Sequence, residues 1–144
     1  MKLFRRIAAL VLAVAVIAMF GISASAASFS QYVPGDFGVF AVCSADLLPN
    51  TIVASATMFE VDYDYIEIVE QKLEVQYVFS PDGGSTCFPA VERTTTEDKT
   101  IDLNFEPPAN CEFRSATYNY ESYYIANGVA DCHIYHGPVA LALP

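Results

Sequence analysis

The chain has 144 residues, and its 17 carboxylates against seven Lys and Arg give a formal charge of −10. That balance excludes a basic footprint for nucleic acid or an anionic membrane, and the length suits one domain. Lys2, Arg5 and Arg6 precede an apolar run over residues 7–20, and Ala24-Ser25-Ala26 follows. These are the three parts of a secretory signal, with an apolar run shorter than the roughly 20 residues of a comfortable membrane span. The expectation is a signal helix over 1–26, cleavage before Ala27, and one exported domain over 27–144 with no stable membrane insertion. Cleavage leaves Lys72, Arg93, Lys99 and Arg114 against all 17 carboxylates, a formal −13.

Along the rest of the chain a period of two dominates, the signature of strands. Phe37-Gly38-Val39-Phe40-Ala41-Val42-Cys43 is an apolar run of strand length, closed by Leu48-Pro49-Asn50. Residues 51–61 alternate small and β-branched side chains. Ile66 and Ile68 hold even positions, whereas Leu73, Val75, Tyr77 and Phe79 hold odd ones. The phase therefore flips between 69 and 72, which predicts a bulge or a break. Ser80-Pro81-Asp82-Gly83-Gly84-Ser85 is a turn by composition, and residues 86–91 form a short edge segment restricted by Pro89. Ile101, Leu103 and Phe105 alternate with Asp102, Asn104 and Glu106 in a one-sided strand. Pro107-Pro108 interrupts the chain, and 113–125 is long and rich in Tyr. Asn127-Gly128 fits a type I′ hairpin turn, whose two central residues need positive φ. The last strand runs from Gly128 to Tyr135, with Gly137-Pro138 as its end.

About seven strands and no amphipathic helix predict an all-β domain. The expected architecture is an antiparallel two-sheet sandwich, immunoglobulin-like in size, following the N-terminal signal helix. A small closed β-barrel is the alternative. The sequence contains no Trp, so the buried Trp of true immunoglobulin domains is missing. The leader, the alternating segment 52–61, the DGG turn and the hairpin from Phe113-Arg114 to Asn127-Gly128 together resemble small uncharacterised secreted β-sandwich proteins of Gram-positive bacteria. The resemblance spans most of the mature chain as pattern. It implies the sandwich and carries no activity or site.

Cys43, Cys87, Cys111 and Cys132 are an even set in an exported chain, which reads as two disulfides. No C-x-x-C pair supports a zinc site. With Asn127-Gly128 as the two turn residues, Ala126 faces Val129 and Cys132 faces Tyr123, far along the strand from Cys111. That register rules out Cys111–Cys132. The expected pairs are Cys43–Cys132, tying first strand to last, and Cys87–Cys111.

Few groupings suggest chemistry. His133 and His136, three apart, share a helix face but take opposite faces of a strand, so a joint metal site is not expected. Asp62 and Asp64, near Glu60 and Glu67, are weak calcium candidates and equally a solvated acidic edge. No G-x-S-x-G or S-x-x-K nucleophile motif occurs. With so many carboxylates, a pair at glycosidase spacing carries no information. Tyr118, Tyr120, Tyr123 and Tyr124 form the most distinctive cluster. Tyr is enriched at recognition surfaces and also packs as a cross-strand neighbour. The expected function is a non-enzymatic extracellular module with no cofactor, partner-binding or structural, its partner an extracellular protein or glycan. The alternatives are an inhibitor or toxin-like competition factor presenting loop 80–85, and a small carboxylate-dependent hydrolase.

Overall fold

The computed structural model describes residues 27–60 and 66–144. Eight strands occupy them: β1 (Ala27–Pro34), β2 (Val39–Leu48), β3 (Thr51–Glu60), β4 (Ile66–Pro81), β5 (Phe88–Thr96), β6 (Thr100–Phe105), β7 (Cys111–Ala126) and β8 (Ala130–Ala142). They form two four-stranded sheets, in the order β1-β2-β3-β6 and β5-β4-β7-β8, and every pairing is antiparallel. The expected sandwich is present and the barrel alternative is not. Strand order departs from the immunoglobulin pattern, since β2 and β3 pair directly as a hairpin where an immunoglobulin domain crosses to its other sheet.

Period-two alternation builds the core. Val39, Ala41, Cys43, Ala45 and Leu47 of β2 and Ile52, Ala54, Ala56 and Met58 of β3 face inward, against Leu73 and Val75 of β4, Tyr118, Tyr120 and Tyr124 of β7, and Ile134 of β8. Small residues on β2 and β3 make room for the large rings opposite, so the layers interdigitate. Tyr77, Phe105 and Phe113 close one end, with ring centroids 5.1–5.5 Å apart. Strand β2 is also covered on its far side. Phe40 stacks on Phe59 at 5.1 Å, Tyr32 tilts over Phe40 at 4.8 Å, and Ser44 shares a 2.9 Å hydroxyl contact with Ser55.

The phase flip at 69–72 is a bulge. Ile68 pairs with Tyr124 and Glu70 with Tyr123, so Val69 is the extra residue. One 16-residue β4 thus runs through what the pattern divides. The bulge turns Ile66 and Ile68 on one side of it, and Leu73 and Val75 on the other, toward the same core.

Three expectations need correction. Strand β1 was not anticipated; its core side, Ala27, Phe29 and Val33, is interrupted by Gln31, which weakens the alternation. The final strand does not end at Gly137-Pro138. It continues to Ala142, and these two residues sit opposite Asn119, where the β7–β8 register slips. A proline at a bulge on an edge strand costs no ladder hydrogen bond, and a Cβ on Gly137 would lie 2.8 Å from the Tyr118 carbonyl oxygen. The hairpin turn uses Asn127 and Gly128 as expected, with φ of 55° and 74°, but Val129 joins it. Ala126 therefore pairs with Ala130, and Cys132 faces Tyr124 rather than Tyr123.

Candidate functional site

Three of the four clustered tyrosines are core residues. Tyr118, Tyr120 and Tyr124 are each 1% exposed, which corrects their reading as a surface. Even positions of β7 point inward, and each phenol satisfies its hydroxyl there. Tyr118 donates to the Ser55 carbonyl oxygen at 2.8 Å, joining the two sheets. Tyr120 donates to Gln71 Oε1, and Gln71 Nε2 donates to the Asp98 carbonyl oxygen. Tyr124 donates to the Asp36 carbonyl oxygen at 3.1 Å and accepts from the Asp36 N–H at 3.0 Å, pinning the β1–β2 turn. Burial raises all three phenols above the ordinary tyrosine range, Tyr124 to about 12.

Tyr123 has the opposite parity and lies on the outer face of the β5-β4-β7-β8 sheet, 41% exposed. Its ring stacks on His133 of β8 at 4.5 Å and 21°. Tyr135, 51% exposed, lies beside His133 at 6.4 Å. Cross-strand pairing builds this patch, since Tyr123 faces His133 and Glu121 faces Tyr135. Glu121 anchors it. Its carboxylate lies 3.6 Å from His133 Nε2, 3.8 Å from Lys72 Nζ and 3.5 Å from the Tyr123 hydroxyl. Lys72 also approaches Glu70 at 3.6 Å, and Arg93 Nε donates to Glu74 at 2.5 Å. The Tyr135 hydroxyl donates to Asn119 Oδ1 at 3.3 Å.

Two shallow depressions lie along this face. One of about 290 Å³ is bounded by Lys72, Glu74, Arg93, Asn119, Glu121 and Tyr135. The other, about 440 Å³, has an uncharged floor that includes Gln76, Val78, Val91, Ser115 and Thr117. Of the four clustered tyrosines, then, only Tyr123 reaches a ligand-accessible surface. Tyr135, Glu121, Asn119 and Lys72 were missed, and His133 was weighed only as a metal ligand. Their signal was parity: Asn119, Glu121 and Tyr123 are the odd residues between the inward even ones, and His133 and Tyr135 are their odd partners.

His136 faces the other way from His133. It packs 6.0 Å from Phe29 and 6.4 Å from Tyr118, and burial lowers its pKa. Among the described residues no group of three or more His, Cys, Asp or Glu is placed to hold a metal. Asp62 and Asp64 lie outside the described residues.

The four cysteines are free thiols in the structure. Cys43 is buried beside Tyr118, and burial pushes its thiol up to about 12. Cys132 is buried opposite Tyr124. Tyr118 and Tyr124 are six positions apart on β7, roughly 20 Å. A disulfide needs Cα atoms about 4.4–6.8 Å apart, so the expected Cys43–Cys132 pair is not brought together. Cys87 and Cys111 flank β4 at one end of its sheet: Cys111 pairs with Pro81, and Cys87 precedes Phe88, which pairs with Phe79, so the end of β4 stands between them, two strand spacings or about 10 Å. The intervening turn is tied down there, with Asp82 N–H donating to the Asn110 carbonyl oxygen at 2.9 Å and Arg114 reaching Gly84. Compared with known protein families and with curated proteins, the chain matches none.

Proposed function

We propose that residues 27–144 form an exported, non-enzymatic module that binds an extracellular partner through the outer face of the β5-β4-β7-β8 sheet. One observation carries the reading. Tyr123, His133 and Tyr135 stand side by side and half exposed on the paired strands β7 and β8, while the other rings of β7 are buried. Rigid aromatic rings with polar tips, grouped on a surface, are the usual anchors of recognition. Glu74 and Glu121, the carboxylates at the first depression, each engage a cation, an arrangement for holding rather than for acid–base chemistry. Export follows from the leader, and Cys87–Cys111 is the pair proposed to oxidise outside the cell, by movement of the segment before β5 that carries Cys87 around the end of β4, with Cys43 and Cys132 remaining as core thiols.

The test is the binding of labelled mature protein to intact producing cells and their extracellular matrix. Tyr123→Ala with Tyr135→Ala should weaken that binding about tenfold or more at an unchanged melting temperature. Undiminished binding by the folded double variant would remove this face from consideration.

A further inference from the structure

Resting on that reading of the outer face, we infer that its ligand is a neutral polysaccharide chain lying along β4 and β7. Charge is the first argument. The mature chain carries only four basic residues against 17 carboxylates, and two of the four, Lys72 and Arg93, are on this face. Both are held by carboxylates, Lys72 between Glu70 and Glu121, and Arg93 on Glu74. The cations of this face are thereby all engaged, and its carboxylates outnumber them, Glu70, Glu74 and Glu121 against Lys72 and Arg93, with Glu67 and Asp131 further along opposite Ile125. An anionic ligand would meet the repulsion of the whole molecule, and at the first depression a cationic one would have to displace Lys72 or Arg93 from its partner.

Shape is the second argument. An extended peptide gains affinity by adding to a sheet edge, where backbone groups are free. The two depressions lie instead on the face of the sheet, centred on β4 and β7, which are hydrogen-bonded on both sides, with side chains of β5 and, at the first, β8 as their outer walls. A ligand here must be recognised by side chains alone. From Tyr123 to Ser115 the face extends roughly 25 Å along the strand, too long for a single small ring.

The side-chain chemistry is the third. The stacked Tyr123–His133 pair and Tyr135 offer flat apolar surfaces. Beside them, Glu121, Glu74, Asn119 and Arg93 are planar groups with two or more polar atoms each. Sugar rings have apolar C–H faces and rims of paired hydroxyls that both donate and accept, and they match this combination. Glu121 and Asn119 accept from hydroxyls, Arg93 and Lys72 donate to them, and no charge pair needs to break. Small residues at Ser115 and Thr117 leave the second depression open for the chain to continue.

Affinity electrophoresis of the mature protein through gels containing a mixed-linkage β-glucan, a xylan, a mannan or the acidic polygalacturonate tests the inference. The expected result is retardation by at least one neutral polymer and none by polygalacturonate. It should hold between about 50 and 500 mM salt, because no net charge is neutralised. Tyr135→Ala and Tyr123→Ala should each reduce retardation about tenfold without lowering the melting temperature. Failure of every neutral polymer, or retardation that salt abolishes, overturns the glycan inference. If cell-surface binding is still lost in the Tyr variants, the face stands and only its ligand is wrong. If a neutral polymer retards wild type and both Tyr variants equally, binding is elsewhere and both readings fall.

Discussion

Raising the pH should unfold this protein through the tyrosines of its core. Tyr118 and Tyr120 are buried with hydroxyls donating to Ser55 and Gln71, and burial raises both phenols above their ordinary range. Cys43, against Tyr118, is raised from 9.0 to about 12. At pH 8 all three groups are protonated in both the folded and the unfolded chain, so their contribution is fully present. Above about pH 9 for the thiol and about pH 10 for the phenols the unfolded chain releases protons that the folded chain keeps. Each proton so held lowers stability by up to about 1.4 kcal/mol per pH unit. The two phenols together can remove about 3 kcal/mol per unit, against a total of about 5–15 kcal/mol for a domain. Urea melts at half-unit steps from about pH 8 to 12 measure this directly. The midpoint should hold to about pH 9 and then fall increasingly steeply. Tyr118→Phe, which removes one titrating group, should start less stable by about 1 kcal/mol and decline less steeply. A flat profile to about pH 11, or a slope unchanged in Tyr118→Phe, would show that these rings titrate in solvent and that the core assignment is wrong.

Other outcomes follow from the same geometry. Tyr118→Ala and Tyr120→Ala should each cost about 3–5 kcal/mol, so the pair together should abolish the cooperative melt, whereas Tyr123→Ala should shift it little. Gly35→Ala should destabilise by about 1–3 kcal/mol, because its Cβ would lie 2.7 Å from the pinned Tyr124 hydroxyl and 2.8 Å from Ile134; an unchanged melting temperature would mean that the β1–β2 turn is not held there. Non-reducing peptide maps of secreted protein should give a linked Cys87–Cys111 peptide and alkylatable Cys43 and Cys132 after unfolding; a Cys43–Cys132 peptide would contradict the strand placement. Intact mass should place the mature N-terminus at Ala27, and recovery of residues 1–26 on the membrane-bound chain would overturn export.

What could be read from sequence was local. Alternation located β3, β6 and most of β7, and the parity change from Ile68 to Leu73 announced the bulge at Val69. Asn127-Gly128 marked the turn, yet the added Val129 moved the register by one, because loop length is set by how two long strands twist together. The glycine and proline at 137–138 looked like an end, since only the pairing partner shows that two residues can oppose one. For the site, parity already separated Tyr123 from Tyr118 and Tyr120. Which parity faced inward depended on the second sheet: Ala54 and Ala56 of β3 leave the space that the Tyr rings fill. Cysteine pairing was not legible for the same reason, being a property of positions in different sheets.

The central claim is that the outer face of the β5-β4-β7-β8 sheet is the binding surface. Hydroxyl-radical footprinting of the mature protein, free and bound to the surface of the producing cell, tests it most directly. Tyr123, His133 and Tyr135 should lose reactivity on binding, while Tyr32 and Phe37, exposed on or beside the other sheet, keep theirs. Protection of Tyr32 and Phe37 with Tyr123 and Tyr135 still fully reactive would contradict the claim and move the binding surface to the opposite sheet.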